Sequence, residues 1–345
     1  RLSRIPAIME MPYNDIIRKF IDMYAGRLRN QVSFMLSACN FYMPIFEEAL
    51  DAYGLPLELR YLPIIESALN PSAVSRAGAS GLWQFMIGTG KIYGLESNSL
   101  VDERRDPIKA TWAAARYLKE MYDIYGDWNL VIAAYNCGPG TINKAIRRAN
   151  GETDYWKIYN YLPKETRGYV PAFIAANYVM TYYCDHNICP METNIPASTD
   201  TVQVNKNLHF EQIADLCNVP LDQIKSLNPQ YKKQMIPGDS KPYTLRLPID
   251  AISTFIDKQD TIYTHRADEL FRNRKTVAVK DITPATRKTT SAVAGKGNLT
   301  YYTIKSGDTL STIARKYGVT IKDIQRWNGM SSTKIAAGKR LKIYK

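Results

Sequence analysis

Histidine is nearly absent from this chain and cysteine is sparse. The 345 residues hold three histidines, His186, His209 and His265, and five cysteines, Cys39, Cys137, Cys184, Cys189 and Cys217. No two cysteines form a Cys-x-x-Cys pair and the histidines are scattered among them. That argues against a zinc site, and nothing else in the sequence asks for a metal or cofactor. Cys184 and Cys189 lie five apart in a loop-like segment, where an oxidising compartment would allow a local disulfide. The odd count leaves at least one thiol free. No run approaches the roughly eighteen apolar residues of a membrane span. The chain starts Arg1-Leu2-Ser3-Arg4 without the apolar stretch of a signal peptide. It is therefore expected either to be cytoplasmic or to have lost its export signal. Membrane anchoring would need a segment absent from this chain. Before residue 195 no period-two alternation is sustained, so the first half reads as mostly α.

Charge is there in excess of one sign. The net charge of +12 favours an acidic partner: nucleic acid, anionic lipid or a polyanionic cell wall. The 45% hydrophobic content suffices for a core, and the length suits two or three domains. Ile16, Ile17, Phe20, Met23 and Tyr24, then Met43, Phe46 and Leu50, keep helical spacing in the first fifty residues. Asp106-Pro107 opens a second clear helix, with an acid suited to the N-cap and a proline whose missing N–H costs nothing there. Its apolar stripe ends at Gly126. Asp127 caps the next helix, which runs into Tyr135-Asn136-Cys137-Gly138-Pro139-Gly140, and a last helix covers Gly168 to Tyr183.

Within the first half, one carboxylate interrupts an apolar run: Leu62-Pro63-Ile64-Ile65-Glu66-Ser67-Ala68-Leu69-Asn70. Leu57 to Leu69 reads as one helix with Leu59, Leu62, Ile65 and Leu69 on a face and Glu66 at its border. A Glu there can simply reach water at the rim. The residues that follow point elsewhere. Ser75-Arg76-Ala77-Gly78-Ala79-Ser80-Gly81-Leu82-Trp83-Gln84-Phe85-Met86 supplies small residues that admit a ligand close to the backbone, aromatic faces and an amide. Such a turn can also serve only to pack a core. Beside a carboxylate it is also how a sugar cleft is usually furnished.

The second half repeats. Shifted by 100 residues, Ile213-Ala214 lies on Ile313-Ala314, Val219 on Val319, Ile224 on Ile324, Asn228 on Asn328 and Gly238 on Gly338. Each unit reads as strand, two short helices and strand, which means duplication. The stretch 272–298 carries seven Lys/Arg against one acid and has linker composition. We expect it to leave the final unit mobile, while the unit at 200–248 packs against the first half.

These motifs carry a resemblance. Glu66-Ser67, Gly81-Leu82-Trp83-Gln84-Phe85, Arg104-Arg105-Asp106, Ala134-Tyr135-Asn136 with Gly138-x-Gly140, and Glu165-Thr166-Arg167-x-Tyr169-Val170-Pro171 follow one another in this order. The set resembles the membrane-bound lytic murein transglycosylase D family, whose catalytic domain is goose-lysozyme-like. Residues 301 to 344, with Tyr302-Thr303-Ile304-Lys305-Ser306-Gly307-Asp308-Thr309-Leu310 and Trp327-Asn328, resemble a LysM module. The unit at 202 to 247 resembles one weakly, with Lys206-Asn207-Leu208-His209 in place of the Ser-Gly-Asp-Thr turn. One departure is Ile87-Gly88-Thr89-Gly90, where the family often has a proline.

The resemblance implies a mainly α lysozyme-like catalytic domain of the α+β superfamily followed by small βααβ LysM-type modules. It implies an N-terminal helical region at 1–54, the transglycosylase domain at 55–195, a degenerate module at 200–248, a connecting segment with the basic linker at 249–299, and a binding module at 300–345. Glu66 is the implied catalytic residue, acting first as acid and then as base. Ser75, Gln84, Met86, Tyr135, Asn136 and Tyr169 are implied substrate contacts, with Ser67, Trp83 and Glu165 as secondary candidates. Glu165 could equally pair with an Arg. The implied partners are peptidoglycan glycan strands, and GlcNAc-containing glycan at the final module, with no nucleic acid. The implied location is the cell envelope, in the periplasm or at the outer membrane. Two other readings stay open: a lysozyme-type hydrolase, with Asp102 or Glu103 as second carboxylate, and an inactive wall-binding scaffold.

Overall fold

Helix α1 (Asp15–Ala25) begins at a cap that the sequence supplies: Asn14 Oδ1 accepts from the N–H groups of Ile16 and Ile17 at 3.1 and 3.0 Å. It leads into α2 (Arg29–Ala52). A 3₁₀ turn, Leu57–Tyr61, precedes α3 (Leu62–Ser67), and α4 (Ile87–Ile92) follows the glycine-rich loop. Asp106 caps α5 (Pro107–Tyr125) with Pro107 at its first position, and Gly126 closes it in the left-handed conformation. Next come α6 (Trp128–Cys137), α7 (Pro139–Arg148), α8 (Tyr155–Ile158) and α9 (Lys164–Thr181). The computed structural model describes residues 1–193, 195–196, 198–271, 299–305, 308–328, 330, 332–333 and 335–344.

Two differences from the sequence reading bear on the site. The single helix expected over Leu57 to Leu69 is broken into the 3₁₀ turn and α3, and Ala68 and Leu69 are left-handed, with φ of 51° and 58°. The Ala68 and Leu69 amides turn back onto the Ile64 and Pro63 carbonyls, which ends the helix just after Glu66 without a glycine. Residues 1–54 also do not stand apart. Ile17, Ile21, Tyr24, Met35 and Phe46 belong to the same buried core as Leu62, Trp83, Leu130 and Phe173. Helix α1 lies along α9 and α2 along α5.

A second core follows. β1 (Thr199–Val204) pairs antiparallel with β4 (Tyr243–Pro248), and β2 (Asn207–His209) with β3 (Met235–Pro237). Helices α10 (Phe210–Cys217) and α11 (Leu221–Leu227) lie between β2 and β3. Residues beyond 248, expected as connecting segment, form α12 (Ile249–Asp257), α13 (Gln259–Thr264) and α14 (Ala267–Leu270). Ala251, Phe255, Ile262 and Tyr263 from α12 and α13 help fill the module's core. So do Leu100 and Val101, which come from the first domain. All of this belongs to one compact unit, Arg1–Pro284.

The second unit, Ala285–Lys345, pairs β5 (Leu299–Thr303) with β6 (Arg340–Tyr344) around α15 (Leu310–Tyr317) and α16 (Ile321–Trp327). The linker expected at 272–298 lies outside the described residues, as do Ser306 and Gly307. The repeat extends to hydrogen bonds. Asn228 Nδ2 donates to the Ile224 and Arg246 carbonyls and its Oδ1 accepts from the Arg246 amide. Asn328 does the same with Ile324 and Lys342. His209 and Thr309 both cap the first helix of their units, each in a capping box.

Candidate active site

Glu66 sits in the last turn of α3 and lines a cleft of about 450 Å³. Ile64, Ile65, Ser67 and Ala68 form its bed. Ala73, Val74, Ser75 and Gln84 from the glycine-rich loop form one wall, and Tyr24, Leu28, Gln31 and Met35 form another. That second wall had no motif to announce it. Its only signal in the sequence was the helical spacing of the first fifty residues.

Burial pushes the Glu66 carboxyl up to about 7, and the negative charge of Glu165 adds to the rise. A hydrogen bond from the Tyr169 hydroxyl to Glu66 Oε1 works the other way. The Tyr169 hydroxyl is itself held well above its ordinary value by burial and by the charge of Glu66. It therefore stays a neutral donor. With Oε1 engaged by Tyr169, Oε2 is the oxygen placed to carry the acidic proton of Glu66.

Tyr135 lies next to this pair. Its hydroxyl donates to the Trp83 carbonyl at 2.7 Å, and burial, with the charge of Glu66 second, raises its pKa. Ser67 Oγ donates to the Pro63 and Leu82 carbonyls at 3.0 and 2.9 Å, tying α3 to the loop. Gln84 adopts a left-handed backbone, φ 48°, and its amide nitrogen donates to the Ala73 and Gly81 carbonyls. Both its N–H groups are thus engaged, and the amide oxygen is what it can offer a ligand. Ser75 Oγ accepts from the Ala79 amide at 3.0 Å. Asn136 Oδ1 accepts from Thr166 Oγ1 at 2.9 Å, which leaves its amide nitrogen to donate.

Of the sequence candidates, Glu66, Ser67, Ser75 and Gln84 line this cleft, and Tyr135, Asn136 and Tyr169 do not; the others sit elsewhere. Met86 is exposed at the N-cap of α4 and does not line the cleft, because the extended backbone there turns its side chain to solvent. Trp83 is wholly buried, its indole N–H donating to Thr111 Oγ1 at 2.9 Å and its ring set edge-on to Phe46. It is a core residue because the left-handed Gln84 reverses the chain just after it. Glu165 is exposed in the first turn of α9 and acts on Glu66 through its charge. Asp102 and Glu103 are buried and paired with Arg104 and Lys109, so neither faces the cleft as a second carboxylate. Cys184 and Cys189 are exposed free thiols. Among the described residues no cluster of His, Cys, Asp or Glu could hold a metal ion, and no helix is long and apolar enough to cross a membrane.

The loop carrying Gln84 is held from behind. Arg104 makes a two-pronged contact with Asp102, at 2.8 and 2.7 Å, and donates to the Gly78 and Phe85 carbonyls at 2.8 and 2.9 Å. Gly81, at φ +88°, lies so close to Arg104 that a Cβ there would stand 1.7 Å from the Arg104 carbonyl oxygen.

The chain is similar to known proteins along its length. The model of the transglycosylase SLT domain matches residues 43–158, that of the lytic transglycosylase MltD LysM-like domain residues 198–264, and that of the LysM domain residues 302–343. Over 339 residues the chain is 32% identical to the membrane-bound lytic murein transglycosylase D of Escherichia coli (strain K12), covering 97% of this chain and 70% of that protein. Over 124 residues it is 33% identical to the soluble lytic murein transglycosylase of the same strain, covering 34% of this chain and 19% of the relative. Among solved structures, the 70-kDa soluble lytic transglycosylase of Escherichia coli matches at 29% identity with a TM-score of 0.36, over 41% of this chain and 24% of that one.

Proposed function

The chain belongs to the membrane-bound lytic murein transglycosylase D family, and from that premise we propose that Glu66 cleaves the MurNAc–GlcNAc β-1,4 bond of peptidoglycan without water. Glu66 gives the proton on Oε2 to the oxygen joining the two sugars, and the C1–O bond breaks. The MurNAc 6-hydroxyl closes on C1, and its proton goes to the Glu66 carboxylate. The product carries a 1,6-anhydro ring, and Glu66 ends protonated as it began.

The observation that carries this reading is a cleft carboxyl poised near neutrality, which can serve as acid and then base. Support also comes from Asp102 and Glu103 being paired and buried away from the cleft. Glycosidases that activate water or form a covalent adduct work with a second carboxyl across the bond. An intramolecular hydroxyl, already close, removes that need. Tyr169 holds Glu66 in orientation, and Ser75, Gln84, Tyr135 and Asn136 bind the glycan near the cleavage point.

The final module binds the wall, and its ligand is GlcNAc-containing glycan. The protein works in the cell envelope, in the periplasm or at the outer membrane. Mass spectrometry of digested peptidoglycan tests the chemistry: anhydro-muropeptides are expected, and reducing-end MurNAc in their place would make the enzyme a hydrolase.

A further inference from the structure

The catalytic loop is braced from the module at 198–271. The backbone of Leu100–Asp102 bridges that of Gln230–Lys232: the Asp102 amide donates to the Gln230 carbonyl at 2.8 Å and the Lys232 amide to the Leu100 carbonyl at 2.6 Å. Lys232 Nζ donates to the Asn98 carbonyl at 2.8 Å and pairs with Asp102 Oδ2 at 3.8 Å. Asp102 is only 2% exposed and Arg104 5%, so this carboxylate, lodged between two cations, is shielded from solvent. Arg104 then reaches the two ends of the loop through Gly78 and Phe85. The chain of contacts runs from the module, through Lys232, Asp102 and Arg104, to the loop bearing Gln84.

We infer that Lys232 is a positioning residue for catalysis, through which the LysM-like module holds the substrate-binding loop in its working shape. The physical basis is the cost of leaving a buried charge short of partners. Without Lys232, Asp102 keeps only Arg104 and the Gln230 bond weakens with the bridge. Arg104 then no longer has one fixed place from which to hold Gly78 and Phe85. The module contributes to the reaction by geometry, not by binding sugar. That fits its first turn, which His209 uses for capping a helix.

The inference rests on the proposed lyase reading only for its activity readout. The test compares three full-length variants. Lys232→Met keeps the stem and removes the charge, and Lys232→Arg restores it. Lys241→Met breaks a different ion pair across the same interface, with Glu96 at 2.6 Å, and touches neither Asp102 nor Arg104. On short soluble glycan fragments, Lys232→Met should lower kcat about tenfold with KM within about twofold, less than the ~100-fold a 1 Å misplacement can cost. Hydrogen exchange of the Ser80 and Gly81 amides, which donate to the Phe85 and Ala73 carbonyls, should speed up about tenfold. Lys232→Arg should recover both, and Lys241→Met should change neither. Unaltered exchange in Lys232→Met overturns the inference, as does an equal effect in Lys241→Met. If the unsubstituted protein yields no anhydro products, the lyase reading fails, and the exchange measurement still decides the role of Lys232.

Discussion

The Tyr169 hydroxyl donates a hydrogen bond to Oε1 of Glu66 from 103 residues further along the chain. The contact joins the last turn of α3 to the second turn of α9 and does two things. It leaves the other oxygen placed to carry the acidic proton, and it offsets part of the burial that pushes Glu66 towards 7. A carboxyl tuned between these opposing effects can change protonation state twice in one turnover.

Replacing Glu66 by Gln keeps the shape and removes the transferable proton. Cleavage of purified peptidoglycan should fall at least about 100-fold, the low end of general-acid contributions. Release of soluble muropeptides measures this, and near-normal release removes Glu66 from the mechanism.

The same variant should be more stable than the parent at neutral pH. The Glu66 carboxyl rises from 4.5 to about 7 on folding, so between those values the native state holds the extra proton. Stability from this group is complete below pH 4.5 and is lost as pH rises through 7. Glu66→Gln is free of that loss. Its advantage in urea unfolding should be absent at low pH and grow to about 3 kcal/mol above pH 7. A difference that does not vary with pH contradicts the raised value.

Tyr169→Phe removes the bond that favours the carboxylate. The Glu66 pKa should then rise further, moving the alkaline limb of the pH–kcat profile to higher pH, while kcat at the optimum falls about tenfold. A limb that stays put, or moves to lower pH, rules out this role for Tyr169.

Gly81→Ala should destabilise the catalytic domain by about 3 kcal/mol, combining a left-handed backbone with overlap on Arg104. Gly140→Ala is the control, since a Cβ there meets nothing within 4 Å. It should be neutral or slightly stabilising, by up to about 1 kcal/mol. Urea midpoints compare the two, and equal midpoints would mean that the loop does not lie flush on Arg104.

Removing residues 299–345 should weaken sedimentation with insoluble peptidoglycan and leave turnover of short soluble fragments nearly unchanged. The isolated unit should bind chitin oligomers in a calorimetric titration. Its folding alone is reasonable, since Tyr302, Ile313, Ile324, Leu341 and Ile343 form a core within the unit. Failure to bind either polymer removes glycan recognition from this module.

Much of the protein was legible because the decisive signals are local. Asp106-Pro107 and Gly126 mark the ends of α5 by cap chemistry that needs no neighbours. The duplication showed in spacing, and Asn228 and Asn328 occupy equivalent hydrogen-bonded positions because each closes its own unit. The Glu66 motif stood out because five short motifs follow one another as they do in the family the chain resembles.

Sequence by itself determined the helical first half and the repeated modules, and it singled out the carboxylate that lines the cleft. Only the tertiary structure decided where side chains point and which distant segments meet. Periodicity reports one helix face at a time, so it could not tell that Tyr24 and Gln31 wall the cleft while Trp83 and Met86 turn away from it. Nor could it join Lys232 to Asp102, 130 residues apart, because that contact exists only once Leu100 and Val101 are buried in the second core. Local propensity is written residue by residue; the pairing of buried charges follows from which surfaces exclude water together.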